Sequence, residues 1–307
     1  MIHYSIIVPH HNIPQLLRRC LDSIPQRDDL EVIVIDDGSD QEYLPALHTL
    51  EQVFKEAKFV YQKTSKGGGA ARNIGLELAV GTYVMFADAD DFYNYCINDF
   101  LDDYAHETCD IVFFNANSVD TETYLAMRRM EHLNKMHEEY DKNPQEALLH
   151  LRYLCGEPSN KLIKREIISK YHIRFEETRI HNDTKFSYLV AFHSRDFKVD
   201  HRAVYCLTER KGSVSKNISD DAQLTRTRIF AEKNRFLQDH NIPVFDFILL
   251  WSFRHYLHQN NPQKFYECLY VANEYGFDLS FITKKLMETY GIRRSKAYRI
   301  PGFAIRK

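Results

Sequence analysis

The chain has 307 residues, 44% hydrophobic and 27% charged, with a formal net charge of −3. These are the proportions of a globular fold, and they exclude a fibrous repeat or a wholly disordered chain. A chain so near neutrality is not a general polyanion binder, so no nucleic-acid role is expected.

No apolar run approaches the roughly 20 residues needed to span a bilayer. The segment 1–5 has no basic region ahead of its apolar stretch and is expected to be a buried strand rather than a signal peptide. The six cysteines show neither a C-x-x-C pair nor metal-ligand spacing, which fits reduced thiols in a cytosol.

In chain order, the first third alternates strand and helix. Residues 4–8 form a short apolar run closed by Pro9. Residues 15–24 have helical spacing, with Leu16, Leu17, Cys20, Leu21 and Ile24 on one side. The β-branched run 31–35 predicts a strand covered on both faces, and it stops at Asp36-Asp37-Gly38-Ser39. A helix is expected over 43–57 and a strand over 59–61; the glycines 67–69 then open a helix over 70–79. Residues 82–86 form a strand that stops at Asp88-Ala89-Asp90-Asp91, and a fifth strand is expected over 110–114. Repeated strand–helix units predict a mostly parallel sheet with helices on both faces.

The middle is less regular. Residues 120–143 are polar and heavily charged, 144–154 and 164–171 read as helices, and 203–207 read as a strand. Beyond about residue 220 long helical patterns take over, near 221–240, 244–259, 262–275 and 279–290, with Pro243 and Pro262 at plausible helix starts. This predicts a catalytic domain over 1–218 and a helical region over 219–307. The last 16 residues carry Arg293, Arg294, Lys296, Arg299, Arg306 and Lys307 and no acid, interleaved with Tyr298, Ile300, Phe303 and Ile305. That pattern suits a solvated tail or an interfacial anchor on anionic lipid.

The chemistry concentrates at strand ends. In an open parallel sheet, ligands bind outside the carboxyl ends of the strands. Two strands here end in acid clusters, Asp36-Asp37 and Asp88/Asp90/Asp91. Neighbouring acids repel, so such clusters hold a metal ion or hydrogen-bond donors, unless they serve as turn and cap residues. Asp-x-Asp suits a hard divalent ion whose shell phosphate oxygens complete. The loop Lys66-Gly67-Gly68-Gly69-Ala70-Ala71-Arg72-Asn73 is neither Walker A nor G-x-G-x-x-G. Its glycines let backbone approach a ligand, or simply form a turn.

Four segments then occur in order: Ile-Ile-Val-Pro-x-x-Asn at 6–12, Val-Ile-Asp-Asp-Gly-Ser at 34–39, Gly-x-x-Ala-Arg-Asn-x-Gly at 68–75 and Gly-Thr-Tyr-Val-x-Phe-x-Asp-Ala-Asp-Asp at 81–91. Together they resemble the family 2 glycosyltransferases, which have the GT-A fold. The resemblance extends through Asn160-Lys161-Leu162, through Phe175-Glu176 with Asn182-Asp183, and through Arg210-Lys211-Gly212-Ser213-Val214-Ser215.

The resemblance implies a metal-dependent, inverting, cytoplasmic enzyme of cell-envelope polysaccharide synthesis. It would move a hexosyl or N-acetylhexosaminyl group from a UDP-linked donor to a glycan or lipid-linked acceptor, and could sit peripherally at the inner membrane face. Pro9 would shape the nucleotide pocket. Asp37, with Asp36 behind it, would accept hydrogen bonds from uracil or ribose, and Arg72 would lie beside the base. Asp88 would face ribose or metal, and Asp90 would ligate Mn²⁺ or Mg²⁺. Asp183 would be the general base, with helix capping as its alternative role, and Arg210, Lys211 and Ser213 would donate to the diphosphate. The sequence departs from the family at His10-His11, where a small residue or Thr plus Tyr is usual, and at Asn182, where Glu is usual. Two other functions stay open: a catalytically inactive nucleotide-sugar binder, and a nucleotidyltransferase, for which Pro9-His10-His11-Asn12 replaces the expected glycine-rich loop.

Overall fold

A computed structural model describes residues 2–210 and 219–291. The chain divides into two compact units, Met1–Ser213 and Val214–Lys307.

Unit 1 opens with three strand–helix steps: β1 (Tyr4–His10), α1 (Pro14–Asp22), β2 (Leu30–Asp36), α2 (Leu44–Val53), β3 (Ala57–Tyr61) and α3 (Gly68–Leu78). Then come β4 (Tyr83–Phe86), β5 (Phe92–Tyr93), α4 (Ile97–Asp103), β6 (Ile111–Asp120), α5 (Glu131–Lys142), α6 (Pro144–Tyr153), β7 (Lys161–Lys164), α7 (Arg165–Lys170), α8 (Thr184–His193) and β8 (Phe197–Glu209). The eight strands form one sheet in the order β3-β2-β1-β4-β7-β6-β8-β5. Its first four neighbours, and β6 with β8, run parallel. The expected mostly parallel α/β sheet is therefore present.

β1 is the centre of the parallel part. Tyr4, Ile6, Ile7 and Val8 are fully buried, as a strand covered by helices on both faces must be. Its register with β2 sets His10 opposite Asp36, which brings the first acid cluster to the strand end. β7 lies antiparallel to both β4 and β6, and β5 antiparallel to β8. These short strands carry no long β-branched run, which is why the sequence pattern does not mark them. β6 and β8 are longer than the sequence suggests because they pair along most of their length, with a bulge near Phe114 and Asn115. The charged stretch after residue 120 contains a helix, α5, seated by Leu133 and His137.

Unit 2 consists of α9 (Asp220–Asp239), α10 (Leu249–His258), α11 (Pro262–Glu274) and α12 (Leu279–Tyr290), packed on Phe230, Leu249, Leu250, Phe253, Phe265, Phe277 and Ile282. Side-chain caps on Ser219, Asn261 and Asp278 start α9, α11 and α12. Pro262 begins α11 as expected, but Pro243 begins no helix. The residues after it are held by a buried bracket instead: Lys233 Nζ pairs with Asp246 at 2.5 Å, and Asn234 exchanges hydrogen bonds with the Asp246 backbone at 2.7 and 3.0 Å. Both charges are almost wholly buried, so removing one alone would strand the other.

Among the described residues no helix is long and apolar enough to cross a membrane. All six cysteines are free, and all but Cys96 are buried. Lys211, Ser213 and the basic segment 292–307 lie outside the described residues.

Candidate active site

The site is built on the carboxyl ends of β1, β2 and β4. At the end of β1, His10 Nδ1 lies 2.9 Å from Asp36, while His10 Nε2 accepts the Ile13 backbone N–H at 3.1 Å. That N–H donation places the ring proton on Nδ1, so His10 donates to Asp36 and ties down the start of α1. Asp36 also accepts from the Ser39 hydroxyl and backbone N–H at 2.5 and 3.0 Å. Burial alone would push its carboxyl up, but the bonds from His10 and Ser39 hold it below the usual range.

Asp37 accepts from the Ser65 hydroxyl at 2.6 Å and from the backbone N–H groups of Lys66 and Gly67 at 2.9 and 2.7 Å. Three protein donors thus occupy the residue expected to receive the nucleotide, and Asp37 shapes the glycine loop directly. Gly38 sits at φ 65°, and a Cβ there would fall 2.6 Å from the Ser65 backbone nitrogen. Pro9 lies between these residues and the β1 core.

α3 begins in the glycine loop and presses on the segment that carries Asp183. A Cβ on Gly69 would lie 2.0 Å from the Glu176 carbonyl oxygen, so only glycine permits this approach. Asn73 exchanges two bonds with the Phe175 backbone, at 2.8 and 3.0 Å. Arg72 donates to Asn182 Oδ1 at 3.0 Å, pairs with Asp88, and sits 5.5 Å from the Phe175 ring centroid. Arg72 therefore bridges the strand-end acids and the Asp183 loop. Phe175 stacks on Phe186 of α8 at 3.9 Å, which anchors the loop to the core.

The second acid cluster follows β4. Asp91 is buried and accepts from the Tyr205 hydroxyl at 2.9 Å and the Thr208 N–H at 2.7 Å. Burial, then the charges of Asp90 and Asp88, push its carboxyl well up. Asp90 does not share those donors and accepts from Arg210 Nε at 3.0 Å. Its carboxyl is also raised, by burial first and by Asp88 second. Asp88 is the more open of the three, its side chain 45% exposed.

Asp183 stands at the N-terminus of α8, yet its side chain makes no capping hydrogen bond. Its carboxyl is pushed up to about 6, by burial first; Arg72 opposes the shift, while Glu157 and Asp88 add to it. A half-buried carboxylate at that value, not engaged in capping the helix, can take a proton near neutral pH.

The model for glycosyl transferase family 2 matches residues 5–172, more than half of the chain. The chain belongs to glycosyl transferase family 2. An uncharacterized glycosyltransferase of Haemophilus influenzae is 39% identical over 92 residues, which is 29% of this chain and 36% of that protein. A poly(ribitol-phosphate) beta-glucosyltransferase of Bacillus spizizenii is 32% identical over 93 residues, 29% of this chain and 15% of that protein. The matched segments thus span only a minor part of these relatives. Among solved structures, residues 1–349 of S. aureus TarS in complex with UDP superpose with a TM-score of 0.64 at 18% identity, covering 97% of this chain and 87% of that one. A mannosyltransferase of Pyrobaculum calidifontis in complex with GDP-Man and Mn²⁺ gives 0.53 at 17% identity, covering 97% and 85%. The shared fold is GT-A.

Within this family 2 fold, Asp88 and Asp90 are the candidates for a divalent ion. Among the described residues no group of three or more His, Cys, Asp or Glu converges as a complete ligand set. The donor set nevertheless fits a hard ion that phosphate oxygens complete, because Asp90, raised by burial and then by the neighbouring Asp88 charge, gains from a cation beside it. Arg72 and Arg210 supply that positive charge in the structure.

Proposed function

We propose that the chain is a metal-dependent inverting glycosyltransferase that moves a sugar from a UDP-linked donor to a hydroxyl of a glycan or lipid-linked acceptor. The observation that carries this is Asp183: an uncapped carboxylate, raised to about 6, tied through Arg72 and Asn182 to the strand-end acids. Asp183 takes the proton of the acceptor hydroxyl as that oxygen attacks the anomeric carbon. Arg72 keeps the Asp183 loop at a fixed place relative to Asp88, so base and donor site are held in one geometry. Arg210, with Lys211 and Ser213, donates to the leaving diphosphate. Asp88 and Asp90 would hold Mn²⁺ or Mg²⁺, which would supply positive charge against the leaving group. Pro9, Asp36 and Asp37 set the nucleotide side of the pocket.

A donor screen by thermal shift tests the proposal. UDP-sugars with Mn²⁺ should raise the melting temperature, and chelator should remove most of the rise. A stabilised protein that transfers no sugar to any acceptor would instead mark a nucleotide-sugar binder.

The basic segment 292–307 is proposed to hold the enzyme at the anionic inner face of a membrane. Each Lys or Arg near such a surface contributes about 1 kcal/mol. The full chain should pellet with anionic vesicles at low salt and be released at high salt, whereas a chain truncated after Gly291 should stay in solution. Equal behaviour of the two would leave the segment as a solvated end.

A further inference from the structure

We propose that Arg19 is a positioning residue for the ion site, and that it couples Asp90 to the turn following β6. This inference rests on the donor-site assignment above. Arg19 lies on α1, outside every motif of the strand ends. Its Nη2 donates to the Asp90 carbonyl, and to Thr121 Oγ1 and Thr208 Oγ1 at 3.3 Å each. Its Nη1 donates to the Thr121 carbonyl and to the Tyr124 hydroxyl, also at 3.3 Å. Thr208 closes the triangle by donating to the same Asp90 carbonyl at 2.5 Å. One guanidinium thus joins α1, the acid loop, the end of β8 and the 121–124 turn, and no other side-chain type offers five donors in a fixed fork.

The cation lies 5.3 Å from the Phe92 ring centroid and 5.7 Å from that of Tyr124. Tyr124 sits at φ 56°, a left-handed conformation that an aromatic residue adopts only where its surroundings hold it. Its backbone N–H donates to the Asp120 carbonyl at 2.9 Å, and its side chain meets Arg19 and the Phe92 ring. The turn is closed by Asp120 N–H on the Leu125 carbonyl and by a bridge between Val119 and Ala126, and it leaves Tyr124 and Leu125 more than half exposed. Whatever moves this turn moves the hydrogen-bond partners of Arg19, and Arg19 bonds the backbone of the residue that would ligate the ion. The turn is thereby a place where an acceptor could influence ion affinity without touching the ion. Beside it, a cavity of about 310 Å³ is lined by Arg19, Asp22, Ser23, Phe92 and Tyr124.

The test uses the full-length protein, with UDP and Mn²⁺ as probes. Arg19→Lys keeps the charge but loses the fork. It should raise the Mn²⁺ concentration needed for half-maximal UDP binding by about tenfold, the loss of one or two charge-assisted hydrogen bonds. UDP affinity in chelator and the melting temperature should stay near wild type, which a merely structural role for Arg19 would not give. Tyr124→Ala should raise the same Mn²⁺ requirement in the wild-type background and have little further effect beside Arg19→Lys. Arg19→Ala opens the cavity further, and millimolar guanidinium, but not ammonium, should restore part of the Mn²⁺ response. If wild type binds no nucleotide with Mn²⁺, the donor-site assignment falls and this inference with it. If wild type binds, and Arg19→Lys leaves the Mn²⁺ requirement within about twofold, Arg19 has no positioning role. Additive effects of Arg19→Lys and Tyr124→Ala would overturn the coupling to the turn. A lowered melting temperature with unchanged Mn²⁺ requirement would make Arg19 a structural staple only.

Discussion

Asp90→Ala is expected to abolish the Mn²⁺-dependent part of UDP binding and to lower turnover by roughly 10³-fold. The Asp90 carboxylate takes no part in the Asp91–Tyr205–Thr208 bonds, so its loss leaves those loop anchors in place. It also leaves Arg210 without its carboxylate partner. The freed guanidinium can meet the diphosphate directly, so residual UDP affinity should match that of wild type in chelator rather than vanish. Calorimetric titration of UDP with Mn²⁺ and with chelator, for both proteins, separates these contributions. Equal wild-type affinity under the two conditions would remove the ion from the site.

Asp183→Asn should cut turnover by roughly 10²-fold or more while donor binding stays nearly intact. The change keeps size and removes basicity. The wild-type rate should rise with pH through about 6, because Asp183 must lose its proton before it can accept one from the acceptor hydroxyl. Burial sets this midpoint first, with Arg72 lowering it and Glu157 and Asp88 raising it. Stability runs the other way. Burial lifts the folded carboxyl from 3.8 to about 6, so the folded state holds the proton more tightly than the unfolded chain does. The stability this group contributes is present at acid pH and is lost as pH rises through about 6. Asp183→Asn should therefore be neutral or mildly stabilising at neutral pH, while activity falls. Transfer within a few-fold of wild type would place the base elsewhere, with Glu176 and Glu177 next to test.

The parallel half of the sheet was legible in the sequence because β1, β2 and β4 contain short apolar runs, although β1 continues through Pro9, which was expected to close it, to His10. Their ends carry both acid clusters, so the candidate site could be placed at the carboxyl edge of the sheet from the pattern alone. The division of labour within the clusters did not. Asp36 and Asp37 look like ligand groups in sequence, but His10, Ser39, Ser65 and the glycine loop occupy most of their lone pairs. Such bonds depend on register and on backbone N–H groups that carry no residue identity. Tyr205, Thr208 and Arg19 were missed for a related reason. Each reaches the acid loop from a distant segment, and neither a Tyr in a strand nor an Arg on a helix flank differs in sequence from its ordinary neighbours. The alternative role for Asp183 as a helix cap could be judged only from geometry, since Asp before a helix reads the same whether or not its oxygen meets an N–H. The antiparallel insertions β5 and β7 stayed invisible because two- and four-residue strands have no periodicity to detect.

The anchoring of the acid loop by β8 has a consequence for how the enzyme is made. The first four parallel strands have all been synthesised by residue 86, but Tyr205 and Thr208 emerge from the ribosome more than a hundred residues later. Pairings of that sequence separation form late, since the loop they close must first be paid for in chain entropy. Until then Asp91 has neither the hydroxyl nor the N–H that fixes it, and Asp90 has no Arg210. A nascent chain that stops short of Phe197 carries every acid of the strand ends, and Arg72 to meet Asp88, but none of the donors that direct the side chains of Asp90 and Asp91. The acid loop is therefore completed only with the last strand of the sheet, and on the donor-site assignment proposed above a polypeptide abandoned part-way through translation would have no assembled site with which to squander activated sugar.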